Sequence, residues 1–334
     1  MLLLAGLNLA SCSGEDPLCQ DAMNQHLYLT TANPMTGQYD QFASLFLARE
    51  DALILIGQLN QLIKSVQRHR GISMGLLGGN TDFLEEFTDL QQQLERRLAT
   101  LEAFAKKNQL LNERDKENLS LAWATIRSNW EQDQLNDNFS LHSHFIEQLL
   151  SMVYSMARQL EVPMTAPIVF RDENTLQPQA FSSERLRLQT EILNFVARTL
   201  PEKIEHLAKI RGLATYAAAL ASDGAIDERR LRFLINSARE QHEHIRAQAE
   251  KLAQSTDGAL KTLGNIKAKE LSLLQFLNLV ESVGFVGNGS RDLAHRIFNM
   301  ASDIMDSYWD VVGEGLDYIR RWHLEDLEAW VRLK

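Results

Sequence analysis

Two arginines stand where apolar residues belong. One helical face runs Ile56, Leu59, Ile63, Val66, Arg70, Ser73, Leu77, and a second runs Ile204, Leu207, Arg211, Ala214, Ala218, Ala221. The steps alternate between three and four residues, the spacing of one packed helix face. Each arginine is followed by a glycine, Gly71 or Gly212, which costs roughly 1 kcal/mol in a helix interior relative to alanine. Small residues come next: Ser73 and Gly75 in one segment, Ala214 and the Ala217–Ala219 run in the other. A buried guanidinium without a partner is expensive, so each arginine needs an anion. A carboxylate from a facing helix is the commoner partner of a core arginine. An external anion is the other. Guanidinium presents a planar fork of donors that fits a planar oxyanion, and two forks converging from two hairpins would make a compact pocket. A carboxylate within bonding reach of both arginines supports the internal pair, and an unfilled polar cavity supports the external anion.

The remaining chemistry is thinner. The segment FVGNGSR, 285–291, leads into a helix expected near Ser290. Backbone donors and the helix dipole there favour anions, which makes Arg291 a candidate third ligand, although a serine N-cap with loop glycines explains the same residues. Arg68 lies two residues from Arg70, so it points to another helix face and into solvent. Arg171 reads as a surface charge. A di-metal bundle site needs two Glu-x-x-His motifs and two more carboxylates. Only Asp292 and His295 approach that spacing, and His242 and His244 diverge on a helix. There is no phosphate loop, nucleophile elbow or CxxC. No catalytic residue, metal or cofactor is expected, and the chain does not read as an enzyme. Tyr216, Trp123, Trp130 and Trp309 read as packing aromatics.

The elements that must position the arginines are helices. The six prolines fall at 17, 34, 163, 167, 178 and 201 of 334 residues, leaving 35–162 and everything after 201 free of proline. Long proline-free stretches rich in Leu, Ala, Gln, Glu and Arg permit long helices. We expect helices near 39–77, 82–107, 114–130, 140–161, 183–221, 226–255, 259–283 and 290–322, with a short tail, and Thr81 or Asp82 capping the second. The expected fold is all-α: two packed antiparallel four-helix bundles. Residues 1–38 form a leader, and 39–334 form one domain with halves 39–162 and 179–334 joined by the loop 163–178.

The halves echo each other. QLIKSVQRHRGISMGLLGGNTD, 61–82, and EKIEHLAKIRGLATYAAALASD, 202–223, share Ile, Arg-Gly and Asp at a constant offset, a weak internal repeat. The net charge of −10 and the lack of a Lys/Arg stripe argue against nucleic acid, which demands a basic surface. No apolar run reaches the length of a membrane span. The start, MLLLAGLNLASC, is similar to a truncated bacterial lipoprotein signal, which inclines the expectation to an exported, membrane-anchored periplasmic protein, with the cytoplasm as the alternative. Cys12 and Cys19 are too few for a disulfide framework.

The segment LIKSVQRHRGISMGLL, 62–77, resembles the signature helix of the nitrate- and nitrite-sensing (NIT) domain family, which usually reads like LQKERGLSAGFL. The segment LAKIRGLATY, 207–216, is similar to that family's second signature. The resemblance spans about 40–320. It implies a pair of four-helix bundles, an arginine-lined pocket, and Arg70 and Arg211 as ligands of nitrate or nitrite; the residue reading adds Ser73 and Arg291, and His69 next to Arg70, to the candidate ligand set. His69 departs from the glutamate common before that arginine. The resemblance implies signal transduction by helix repacking to a separate output protein, with a homodimer as an option. The competing expectation is a structural or partner-binding helical bundle whose arginines make internal salt bridges.

Overall fold

The computed structural model describes residues 34–108, 110–161, 183–220, 227–286 and 290–332. The expected leader as far as residue 33 with both cysteines, the joining loop 163–178 and its Arg171 lie outside the described residues. Contacts divide the chain into two compact units, 1–47 and 48–334. Residues 34–47 of the first are helical. The second unit holds both arginine segments and, from residue 48 onward, both expected halves.

The described residues are helical, with no strand among them. The helices are α1 Pro34–Leu77, α2 Leu84–Asn108, α3 Glu113–Arg127, α4 Leu135–Gln159, α5 Ser183–Asn194, α6 Leu200–Ala219, α7 Glu228–Ser255, α8 Gly264–Ala268, α9 Glu270–Val286 and α10 Arg291–Arg332. α1 begins at Pro34, earlier than expected, because a proline in the first turn has no intrahelical donor to lose. α10 continues through the expected tail to Arg332. The expected helix over 259–283 is instead a 3-10 turn, Lys261–Leu263, followed by α8 and α9.

The expected helix over 183–221 carries a π turn at Phe195–Thr199, just ahead of Pro201. Proline supplies no backbone donor and crowds the preceding turn, and a widened turn relieves both without ending the helix. After α1, Gly79 adopts φ +94, a left-handed conformation that glycine takes without a side-chain clash. The cap of the next turn is Asn80, whose Oδ1 accepts from the Asp82 amide at 3.2 Å. Neither Thr81 nor Asp82 caps it, because both already lie inside the 3-10 turn Thr81–Phe83.

α6 is central. It packs along α10 and also touches α4, α7 and α9. It runs beside α1 in the same direction: a Cβ added at Gly75 would meet Thr215, and one at Gly78 would meet Ala219. No helix among the described residues is long and apolar enough to cross a membrane.

Candidate functional site

Around their arginines, α1 and α6 are buried on nearly every side. On α1, residues 65–67 and 69–75 are buried, and on α6 so are 204, 205, 207, 208 and 210–215. A single heptad face is too narrow a description of such helices, which lie at the centre of the packing. A second buried stripe on α6, Glu205, Ala208, Gly212, Thr215 and Ala219, faces α1. The glycines after the arginines serve this close approach. A Cβ on Gly71 would lie 2.8 Å from Phe298 Cε2 and 3.2 Å from Arg211 Nε, and one on Gly212 would lie 2.7 Å from Met74 Sδ.

Arg70 is fully buried. Its Nη1 donates to Glu205 Oε1 at 2.7 Å and to Ser143 Oγ at 2.9 Å, and its Nη2 donates to Glu205 Oε2 at 3.1 Å. Gln67 Nε2 adds a third donor to that carboxylate at 3.1 Å. The guanidinium lies 5.3 Å from the Phe139 ring centre, and Ser143 returns its own proton to the Phe139 carbonyl at 2.6 Å.

Arg211 has a cradle of the same build. Its Nη1 donates to Ser302 Oγ at 2.9 Å, the guanidinium lies 4.7 Å from the Phe298 ring centre, and Ser302 donates to the Phe298 carbonyl at 2.7 Å. Its Nη2 donates to the Gln67 carbonyl at 2.6 Å. No carboxylate of the described residues is within bonding reach. Asp306 and Glu205 act on it only through space, against desolvation and the like charges of Arg68 and Arg70. Burial first, then those two arginines, push Arg211 down to about 9 from 12.5, so it remains a cation at neutral pH. Arg211 Nε and its neighbour Thr215 Oγ1 have no hydrogen-bond partner among the described residues. Of the two partners open to each arginine, a carboxylate therefore serves Arg70 and none serves Arg211.

His69 is buried against Phe87 and Trp123. Its Nδ1 lies 2.8 Å from His142 Nε2, and His142 Nδ1 lies 2.7 Å from the Asn138 carbonyl. A carbonyl only accepts, so His142 carries its proton on Nδ1 and accepts from His69 at Nε2. Both rings are neutral. Burial and then the neighbouring His142 hold His69 well below its ordinary value, and burial pushes His142 to about 3, with Arg70 adding to the shift. Ser73 Oγ lies 2.8 Å from Asn138 Oδ1 and 3.0 Å from the Arg70 carbonyl. It ties α1 to α4 rather than reaching either guanidinium.

Arg291 does not join this layer. It is the first residue of α10, its side chain is 57% exposed, and it stands 3.5 Å from Asp82. Only its carbonyl reaches inward, to Asn80 Nδ2 at 3.3 Å. Ser290 caps α10 by accepting from the Leu293 amide, the ordinary explanation of that segment. Arg68 is partly exposed and paired with Glu86. Trp123 and Trp309 are buried, and Trp130 stacks near Phe87.

Sequence reasoning missed Glu205, Gln67 and the two Phe–Ser pairs. A signal existed for the last: FSLHS at 139–143 and FNMAS at 298–302 share the same four-residue spacing. Among the described residues no three His, Cys, Asp or Glu side chains gather as a metal site requires. No protein-family model matches the chain, and neither a curated protein nor a solved structure matches it.

Proposed function

We propose that the chain is a sensor of a small monovalent planar oxyanion, nitrate or nitrite, and performs no reaction on it. The observation that carries this reading is Arg211: a buried cation whose partners are two neutral oxygens and an aromatic face. Such a charge lacks most of its compensation, and an anion entering the layer supplies it. The neighbouring cradle indicates which anion suits. Arg70, with the same serine and phenylalanine around it, holds a carboxylate, itself a planar oxyanion. The resemblance of 62–77 and 207–216 to the nitrate- and nitrite-sensing signatures points the same way.

The finer architecture belongs to the same proposal. The two Arg–Gly helices, each facing a Phe-x-x-x-Ser turn, support two four-helix halves descended from one repeat. Arg211 is sealed between α1, Phe298 and α10, so a ligand enters only as these elements shift. Ligand then favours one packing of α1, α6 and α10 over another, and a separate output protein, or a second copy of the chain, reads the difference.

The Arg70–Glu205 pair favours a second reading, a structural helical module with internal salt bridges. A thermal-shift series over nitrate, nitrite, chloride, sulfate and phosphate at constant ionic strength separates the two. The sensor reading expects nitrate and nitrite to raise the melting temperature, since they bind only the folded state. Four heavy atoms at about −1.5 kcal/mol each cap nitrate affinity near tens of micromolar, so half-saturation is expected between about tens of micromolar and the millimolar range. Equal behaviour of all five anions leaves only the structural reading.

A further inference from the structure

We infer that Glu205 is an internal stand-in for the ligand and fixes its number and charge: one monovalent planar oxyanion, held at Arg211. The inference rests on the proposed sensor function. Glu205 occupies the fork of Arg70 through both oxygens, at 2.7 and 3.1 Å, and takes a further donor from Gln67. It is buried to the same degree as the arginines. The fork of Arg211 has no such occupant.

The asymmetry is written in the two repeated segments. At the constant offset that aligns Arg70 with Arg211, Glu205 aligns with Lys64. The first segment therefore offers Arg211 a base where the second offers Arg70 an acid. Lys64 turns outward and pairs with Asp306 at 2.9 Å. Lys209, 3.9 Å from Glu205, is matched by Glu147 at 3.1 Å. The histidines of the layer are neutral. Two guanidinium groups against one carboxylate leave a single positive charge in the buried layer among the described residues. One monovalent anion cancels it. A divalent anion overshoots and leaves a buried negative charge, which carries the same kind of desolvation cost. Charge selection thus comes from Glu205, and shape selection from the planar forks.

The test uses two substitutions in the full chain. Glu205→Gln keeps the volume and removes the charge. It is expected to bind nitrate about tenfold more tightly, as loss of a neighbouring negative charge requires, and to be stabilised by sulfate, to which the unmodified protein is indifferent. Glu205→Ala opens the fork of Arg70 itself. It is expected to melt lower in chloride, to recover with added formate or nitrate, and to take up two nitrates by calorimetry where the unmodified chain takes one. Anion profiles and stoichiometries identical to the unmodified protein in both variants would overturn the inference, as would equal stabilisation of the unmodified protein by sulfate and nitrate. If Glu205→Ala does not fold in any anion, Glu205→Gln and the sulfate comparison still decide. An unmodified chain that binds no anion, beside an alanine variant rescued by formate, would keep Glu205 as the occupant of an anion cradle and sink the sensor reading alone.

Discussion

Arg70 and Arg211 sit on neighbouring parallel helices, each followed by glycine, each held by a serine and a phenylalanine four residues apart. One has its counter-charge built in and the other does not. The same serine-and-phenylalanine cradle thus holds a closed ion pair in one place and, in the other, a cation with no carboxylate of the described residues in bonding reach. What separates them is a single acid on α6. A buried ion pair is costly to break but contributes little beyond what packing would supply, whereas a lone buried charge is itself a cost. Removal of Arg70 should therefore cost far more stability than removal of Arg211.

The largest effect is expected at Arg70. Arg70→Ala strands Glu205 in the interior and should cost about 3–5 kcal/mol, the range for breaking a buried pair. Chemical denaturation measures it. A loss under about 1 kcal/mol, as for an exposed pair, would show that water or another cation reaches Glu205. The helix crossing beneath the arginines comes next. A Cβ on Gly78 would lie 2.7 Å from Ala219 Cβ and 2.8 Å from the Tyr216 carbonyl. Backbone cannot yield as a side-chain tip does, so Gly78→Ala should destabilise by about 1–3 kcal/mol. An unchanged midpoint would mean that α1 and α6 are less tightly joined than this geometry requires.

Acid should weaken the whole interior. Burial pushes His142 to about 3 and His323 to about 4, and holds His69 well below 6.5. The unfolded chain protonates these rings near 6.5, so between that value and the folded ones it binds more protons. Their contribution is complete above the unfolded value and is lost progressively as pH falls toward about 3. Asp326 works the other way. Burial raises it to about 6 from 3.8, so the folded state gains stability as pH falls through that window, which offsets part of the loss from three histidines. Melting temperatures across about pH 4–8 should fall on the acid side of the ordinary histidine range. A flat profile would mean that the histidines are not buried neutral. The smallest effect is expected at Arg291. Its exposed pair with Asp82 is worth at most about 1 kcal/mol, and Arg291→Ala should leave any anion response intact. A lost response would bring that residue back to the ligand.

The helices were legible because proline is confined and helix formers fill the gaps. The two arginines were legible because a charge inside an apolar stripe breaks the pattern. The π turn was not, since Pro201 could equally have ended a helix; the buried side chains Phe195, Val196 and Ala197 show that the chain stays packed through it. Glu205 was hidden for a different reason. It lies outside the heptad face that contains Arg211, and it counts as buried only once α6 is known to be enclosed on both sides. Its partner stands 135 residues away, a distance that helical periodicity does not span. His69 adjoins Arg70 in sequence, yet its ring meets His142 rather than Glu205, because successive residues of a helix leave in different directions. Ser73 shares the side of α1 that carries Arg70, but its short side chain ends on Asn138 and the Arg70 carbonyl.

Calorimetric titration of nitrate into the unmodified protein and into Arg211→Met shows whether Arg211 holds the anion. Methionine fills the volume and removes the uncompensated charge, and Ser302 and the Gln67 carbonyl lose only their bonds to Arg211, so without nitrate the variant should stay within about 1 kcal/mol of the unmodified stability. One nitrate is expected to bind the unmodified chain and none to bind Arg211→Met. Nitrate bound with equal affinity by both proteins would contradict it.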